Sequence, residues 1–233
     1  AQGIDYVIVI CDDSGNLKSK NKTQQIVDKY SSLIPIRVMF NKRNCGVATS
    51  WNNIIRSNNS PYIILLNDDI IIVKDSIQTM LHFIKENLHI GAVAFELNSI
   101  KEEDMLKVLV LEDNIASITP KRSLVAWGAY WGFSREKYNL VGGFDENYFI
   151  FFEETDFCTY LTTKGYPNYL LRCPKSWHVG SATVSSFNKE YYMSKSFNYY
   201  NSKWGNLWIE AINKMPNRKV EWTCNGSIYE DIM

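Results

Sequence analysis

The chain has 233 residues, of which 45% are apolar and 21% charged, enough apolar mass for the core of one α/β domain of ordinary size. Its 25 basic and 25 acidic residues balance, so no net field draws it to DNA or anionic lipid, and nucleic acid is not an expected partner. The five cysteines (Cys11, Cys45, Cys158, Cys173, Cys224) are odd in number and form no CxxC pair, which argues against the common zinc and redox motifs and for free thiols in a reducing compartment. No signal peptide opens the sequence and no apolar run approaches the ~20 residues of a bilayer span, so a soluble, cytoplasmic protein is expected, with a peripheral position at a membrane still open.

Tyr6 to Ile10 is a β-branched run that stops at the turn formers Cys11-Asp12-Asp13-Ser14-Gly15, the pattern of a buried strand ending in a loop. Thr23 to Tyr30 reads as helix and Ile36 to Phe40 as a second strand. Val47, Trp51, Ile54 and Ile55 then recur at helical spacing up to the turn Ser57-Asn-Asn-Ser-Pro61. Tyr62 to Leu66 predicts a third strand, Ile77 to Ile84 a helix, and Gly91 to Leu97 another strand. Strands alternating with helices favour a mostly parallel sheet covered on both faces. From Lys101 the pattern changes to charged loops, a hairpin around Leu106 to Ile118 and an apolar run Val125 to Phe133, where mixed sheet is expected. Ser134 is placed to cap a short helix ending at Gly142-Gly143, and Glu154 to Thr163 a further helix closed by Gly165. The aromatic stretch Tyr191 to Trp208 predicts a helix lying over the domain. The aromatic content of 14% suits either sugar stacking or core packing.

Asn67-Asp68-Asp69 interrupts the apolar run Tyr62 to Val73. Burying an unpaired carboxylate costs several kcal/mol, so Asp68 and Asp69 need water, a partner or a cation. The carboxyl end of a strand in an open parallel sheet faces the ligand crevice, and adjacent acidic oxygens there suit Mg2+ or Mn2+ together with diphosphate oxygens. Asn-Asp-Asp is also good turn chemistry, and spacing alone leaves the two readings open.

Taken in order, Cys11-Asp12-Asp13-Ser14, Asn44-Cys-Gly46-Val-Ala48, Leu66-Asn67-Asp68-Asp69, Gly142-Gly-Phe-Asp145-Glu146 and Phe152-Glu153-Glu154-Thr-Asp156 resemble the signature of family 2 glycosyltransferases with the GT-A fold. The resemblance covers nearly the whole chain and is strongest to a rhamnosyltransferase-like branch. It implies a Rossmann-like, mostly parallel central sheet flanked by helices, with a mixed acceptor-side portion. It also implies a single domain over 1–233, made of a nucleotide-sugar half (1–100), an acceptor half (101–190) and a C-terminal helical segment (191–233). By the same resemblance, Asp12 and Asp13 meet the base and ribose of the donor, with an Asx turn as the structural alternative. Asn44, Gly46 and Ala48 belong to the stretch that closes over the donor, where Asn44 also suits a helix cap.

Asn67 and Asp68 fall at the donor in the DXD motif, whose first position is Asn67 here, and Asp69 is its metal-binding acid. His178, in Trp177-His178-Val-Gly180-Ser181, resembles the late histidine that completes the metal shell. Glu154 corresponds to the catalytic base, with Glu153 its competitor because family members usually carry aspartate where Glu154 stands. Asp156 lies on the acceptor side, where an acidic first helical turn is the simpler reading. Trp127 and Gly128 resemble the segment beneath the acceptor sugar, core packing being the alternative for Trp127. Lys203 is read either as approaching the diphosphate or as part of a surface helix. Family members begin with a strand and nucleotide-touching loop that nothing before Tyr6 supplies, so the family's first strand is expected to be absent from this chain.

The resemblance implies hexosyl or deoxyhexosyl transfer with inversion, from a UDP-, dTDP- or GDP-linked sugar to a glycan, lipid-linked or protein hydroxyl, in polysaccharide or glycoconjugate synthesis. It implies Mn2+ or Mg2+ as cofactor. Two rivals stand beside it: a noncatalytic carbohydrate-binding or scaffold domain of the same fold, and a sugar nucleotidyltransferase. The second normally opens with a Gly-rich phosphate loop, which this sequence lacks.

Overall fold

Strand and helix alternate from the first described residues, as the apolar periodicity requires. The computed structural model describes residues 5–72, 75–99, 119–123, 125–126, 128–179, 188–213, 219–222 and 227–230. In chain order the elements are β1 (Ile8–Asp12), α1 (Leu17–Tyr30), β2 (Ile36–Phe40), α2 (Val47–Arg56), β3 (Tyr62–Leu66), β4 (Ile70–Ile71), α3 (Ser76–Glu86) and β5 (Ala92–Ser99). There follow β6 (Thr119–Ser123), β7 (Tyr130–Ser134), α4 (Arg135–Val141), α5 (Glu153–Thr163), β8 (Asn168–His178), α6 (Lys189–Trp204), α7 (Leu207–Asn213), β9 (Lys219–Trp222) and β10 (Ser227–Glu230).

β1 and β2 pair in parallel, with Ile8 opposite Ile36 and Asp12 opposite Phe40. The larger sheet runs β3-β7-β5-β8-β4, with β6 also laddered to β8. β5 and β8 are parallel, whereas β7 lies antiparallel between β3 and β5, and β4 and β6 run antiparallel to β8. The result is a mixed α/β fold with a central sheet and flanking helices, in which the parallel share is smaller than the alternation of elements predicts. The reason is β7: Tyr130, Trp131 and Phe133 are fully buried, and a strand apolar on both faces fits only in the interior of a sheet.

Alternation across the pleat sorts the core into two layers. Ala92 and Ala94 of β5 with Trp131 and Phe133 of β7 meet Trp51 and Ile55 of α2 and Phe157 and Leu161 of α5. Val93, Phe95 and Tyr130 point the other way, onto Met80, Phe83 and Ile84 of α3. An aromatic cluster fills the first layer: Trp131 packs against Trp51, Phe133, Phe144 and Phe157 with ring centroids 4.9 to 5.6 Å apart.

Several boundaries differ from the sequence reading. α1 starts at Leu17 rather than Thr23, because the Asn16 side chain accepts from the Lys18 and Ser19 amides and caps it there. The Ser134 cap and the left-handed Gly142 bound α4 as expected. β8 and β6 were not anticipated: Arg172-Cys-Pro-Lys175 hides β8 by breaking any apolar alternation. The C-terminal helix divides at Gly205 (φ 50°) into α6 and α7, and the tail expected to be helical also carries the antiparallel pair β9 and β10. The hairpin expected at Leu106 to Ile118 lies outside the described residues.

Among the described residues β1 pairs only with β2 and β3 only with β7, so each keeps one bare edge. α2 packs on both strands, touching β1 and burying Trp51 and Ile55 with Ile63 and Leu65. Ile8, in an apolar strand, is accordingly 39% exposed. Cys11, Cys45 and Cys158 are free thiols. No helix among the described residues is long and apolar enough to cross a membrane.

Candidate active site

At the end of β3 the Asn67 amide donates to the Ala129 carbonyl at 2.9 Å, which sets the Asn67-Asp68-Asp69 turn against residues 128–129. One residue on, Ile70 of β4 pairs with His178 of β8, and the Val179 amide donates to the Asp69 carbonyl at 2.9 Å. This short ladder draws the two side chains together: Asp69 Oδ2 lies 3.1 Å from His178 Nε2. Asp69 Oδ1 is buried and has no hydrogen-bond partner among the described residues, while Asn67 and Asp68 are exposed.

A buried carboxylate oxygen without a donor beside an imidazole nitrogen is a hard donor set that fits Mg2+ or Mn2+. Among the described residues no group of three or more acids, histidines or cysteines converges. A site of this kind leaves most positions to water and diphosphate oxygens, as Mg2+ sites commonly do.

On the other side of the 128–129 turn stands the head of α5. A Cβ placed on Gly128 would lie 3.3 Å from Glu154 Cγ and Cδ and 3.1 Å from the Trp51 ring, so glycine is what lets this turn rest on the glutamate. The backbone amides of Thr155 and Gly128 approach the Glu154 carboxylate. Glu153 is 6% exposed, and Oε2 of each glutamate is buried without a partner among the described residues. Burial pushes both carboxyls up; the Glu154 charge lifts Glu153 further, while backbone donors temper Glu154.

A carboxyl raised in the folded state costs stability once pH passes its ordinary value near 4.5, and the loss grows as pH climbs toward the raised value. Glu153→Gln is therefore expected to flatten the decline of stability with pH. Near pH 8 it should raise Tm by about 2–4 °C, the effect of ~1 kcal/mol in a protein of this size. Thermal melts from about pH 5 to 8 check this. Asp12 and Asp145 act oppositely: burial raises each, but hydrogen bonds outweigh it and hold both below the usual range, so their contribution disappears as pH falls through the lowered values.

The first two acids are engaged by the protein. Asp12 accepts from the Ser14 amide at 3.0 Å, Ser19 Oγ at 3.1 Å and Thr23 Oγ1 at 2.8 Å, the Asx turn that was its structural alternative. Asp13 accepts from Asn41 Nδ2 and from the Cys45 and Gly46 amides at 2.7 to 3.0 Å, fixing the Asn44-Cys45-Gly46 turn. Asn44 Oδ1 accepts from the Gly46 amide, and the cap of α2 is Gly46 itself (φ 86°), not Asn44. A Cβ on Gly46 would meet the Phe149 carbonyl at 2.5 Å, so the close approach that requires glycine is to Phe149. Ala48 is fully buried in the core.

Asp156, expected on the acceptor side, is 3% exposed and bonds Tyr148 Oη, Trp204 Nε1 and Lys203 Nζ at 3.2, 2.8 and 2.9 Å. Lys203, read as a candidate for the diphosphate, spends its charge on Asp156 and on Asp145 at 2.8 Å. Trp127 lies outside the described residues. Sequence reasoning missed Asn52, which is fully buried and bonds the Phe144 amide and carbonyl, Tyr138 Oη and Glu146 Oε1, tethering α2 to the Gly142–Glu146 loop. Its signal was available, since an asparagine on the buried stripe Ala48, Trp51, Ile55 must find partners.

A central sheet clad by helices, with acids collected where β3 ends and α5 begins, is the GT-A class of α/β fold. The sequence profile of glycosyl transferase family 2 matches residues 1–142, more than half of the 233, and the chain belongs to this family. No curated protein matches the sequence. Among solved structures, the mannosyltransferase PcManGT from Pyrobaculum calidifontis, in complex with GDP-Man and Mn2+, shares the fold at 15% identity and a TM-score of 0.55, covering 77% of this chain and 50% of that one. GalNAc-T7 with UDP, GalNAc and Mn2+ shares it at 14% identity and a TM-score of 0.64, covering 87% and 43%. The chain thus spans half or less of the length of these two structures.

Proposed function

We propose that this protein transfers a hexosyl or deoxyhexosyl group, with inversion, from a nucleotide diphosphate sugar to a hydroxyl acceptor, in a reaction that requires Mn2+ or Mg2+. The observation that supports this best is the Asp69–His178 pair at 3.1 Å, with Asp69 Oδ1 without a partner among the described residues, two residues beyond Asn67, whose amide bonds the 128–129 turn that rests on Glu154. Asp69 and His178 would hold the metal, with Asp68 and Asn67 at the exposed mouth beside the donor. The ion supplies neutralisation of the charge that builds on the departing diphosphate. Glu154 takes the acceptor hydroxyl proton as the oxygen attacks the anomeric carbon and the nucleoside diphosphate leaves, with the backbone amides of Thr155 and Gly128 orienting its carboxylate. Residues 1–100 form the donor half and 101–190 the acceptor half, with Gly128 under the acceptor. The rhamnosyltransferase-like branch, a cytoplasmic or membrane-peripheral location and a role in glycoconjugate synthesis belong to the same reading.

One observation favours a noncatalytic sugar-binding domain instead: Asp12 and Asp13 each accept protein hydrogen bonds at both carboxylate oxygens. A thermal-shift screen of UDP, dTDP and GDP and their sugars, with and without Mn2+, separates the readings. An enzyme of this kind should gain on the order of 5–10 °C at about 100 times Kd, only with metal present, and should release nucleoside diphosphate when acceptor is added. Stabilisation by sugar alone, without metal and without release, would establish the binding domain.

A further inference from the structure

We propose that α6 is a positioning clamp for the acids at the head of α5, with Lys203 as its main tie. The idea rests on the reading of Glu154 as base but concerns a part of the chain beyond residues 1–142, where the family profile matches.

The turn that delivers Glu153 and Glu154 is strained. Phe151 and Phe152 both have left-handed backbone, with φ 69° and 71°, a conformation that bulky side chains rarely adopt. Phe152 is also the N-cap of α5 and offers no side-chain acceptor to the helix amides. Such a turn persists only where its surroundings over-determine it. Here the surroundings come from successive turns of α6. The Tyr192 ring stacks on Phe149 at 5.1 Å, and Ser196 Oγ donates to the Ile150 carbonyl at 2.9 Å. The Phe197 and Tyr200 rings flank Phe152 at 5.9 and 5.4 Å. Lys203 Nζ then spans Asp145 and Asp156, and Trp204 Nε1 donates to the same Asp156 oxygen.

Residues 192, 196, 200 and 203 recur at helical spacing, so one stripe of α6 runs along the turn and onto the first coil of α5. Asp156 is two residues from Glu154, on that first coil. Lys203 touches neither glutamate; it fixes the backbone that aims them.

The test compares Lys203→Met, Lys203→Arg and Ser196→Ala with the wild-type chain, first by amide hydrogen exchange and then by nucleoside diphosphate release. Lys203→Met is expected to speed exchange of amides 151–157 at least about tenfold while the strands of the larger sheet stay protected, with Lys203→Arg largely restoring protection. Its kcat should fall about tenfold at unchanged donor KM, because donor contacts are not touched. Ser196→Ala, which loses one hydrogen bond, should show the same pattern more weakly, and it decides the matter if Lys203→Met does not fold. Unchanged exchange at 151–157 overturns the clamp whatever the activity. Faster exchange with unaltered kcat in an active enzyme overturns its positioning role. If the wild-type chain releases no nucleoside diphosphate, the transferase reading fails, and the exchange data alone decide whether α6 clamps the turn.

Discussion

Glu154→Gln is expected to lower kcat by about 10²- to 10⁴-fold while leaving metal-dependent stabilisation by the donor intact, because a general base contributes in that range and acts on the acceptor alone. The substitution is nearly isosteric, so the Gly128 turn that rests on the side chain keeps its support. It also removes a carboxyl that burial disfavours in its charged form, so the variant should fold at least as well as the parent. Loss of turnover with an unshifted Tm is then loss of chemistry rather than of structure. The measurement is steady-state nucleoside diphosphate release beside thermal shift with donor and Mn2+. Turnover within a factor of two of the parent would remove Glu154 from the base role. Glu153→Gln is the control: with Glu153 at 6% exposure the hydroxyl of an acceptor has little access to it, and only a modest change in kcat is expected.

Asp69→Asn is the second large effect. It keeps the shape of the side chain but replaces one carboxylate oxygen with an NH2 group and abolishes the negative charge shared by the oxygen 3.1 Å from His178 Nε2 and the orphaned one. Changing even a supporting group in a metal site costs about 10- to 100-fold in affinity, and loss of a direct ligand should cost at least that. The Mn2+ concentration for half-maximal thermal shift with nucleoside diphosphate is expected to rise by at least this factor, and activity to fall with it. An unchanged Mn2+ requirement would mean that the ion, if used, is held elsewhere.

Much of the scaffold was legible because its signals are local. β2, β3, α2 and α3 follow directly from apolar runs and helical spacing, and Ser134 and Gly142 bound α4 as their chemistry requires. β8 was not legible, since its place depends on three partners from distant parts of the chain rather than on its own pattern. The same difference divides the site. Asp69 stood out as a carboxylate in an apolar run, and its spatial proximity to His178, more than a hundred residues away, follows from the pairing of Ile70 with His178. Asp12, Asp13 and Asp156 each carried a ligand reading beside a turn or helix-start reading as sequence, and the donors they meet are ones that only folding brings near: Thr23 for Asp12, Asn41 for Asp13, and Trp204 for Asp156. Acidity in a motif does not distinguish a carboxylate that faces a ligand from one that ties a loop. The inventory of neighbouring amides and hydroxyls does.

The bare margins of β1 and β3 bear on how this molecule behaves in concentrated solution. Ile-Val-Ile-Cys and Tyr-Ile-Ile-Leu-Leu carry no lysine or proline to repel an incoming strand, and their outward amides and carbonyls have no strand partner among the described residues. Among the described residues, these two edges are where backbone pairing with a further extended strand can occur.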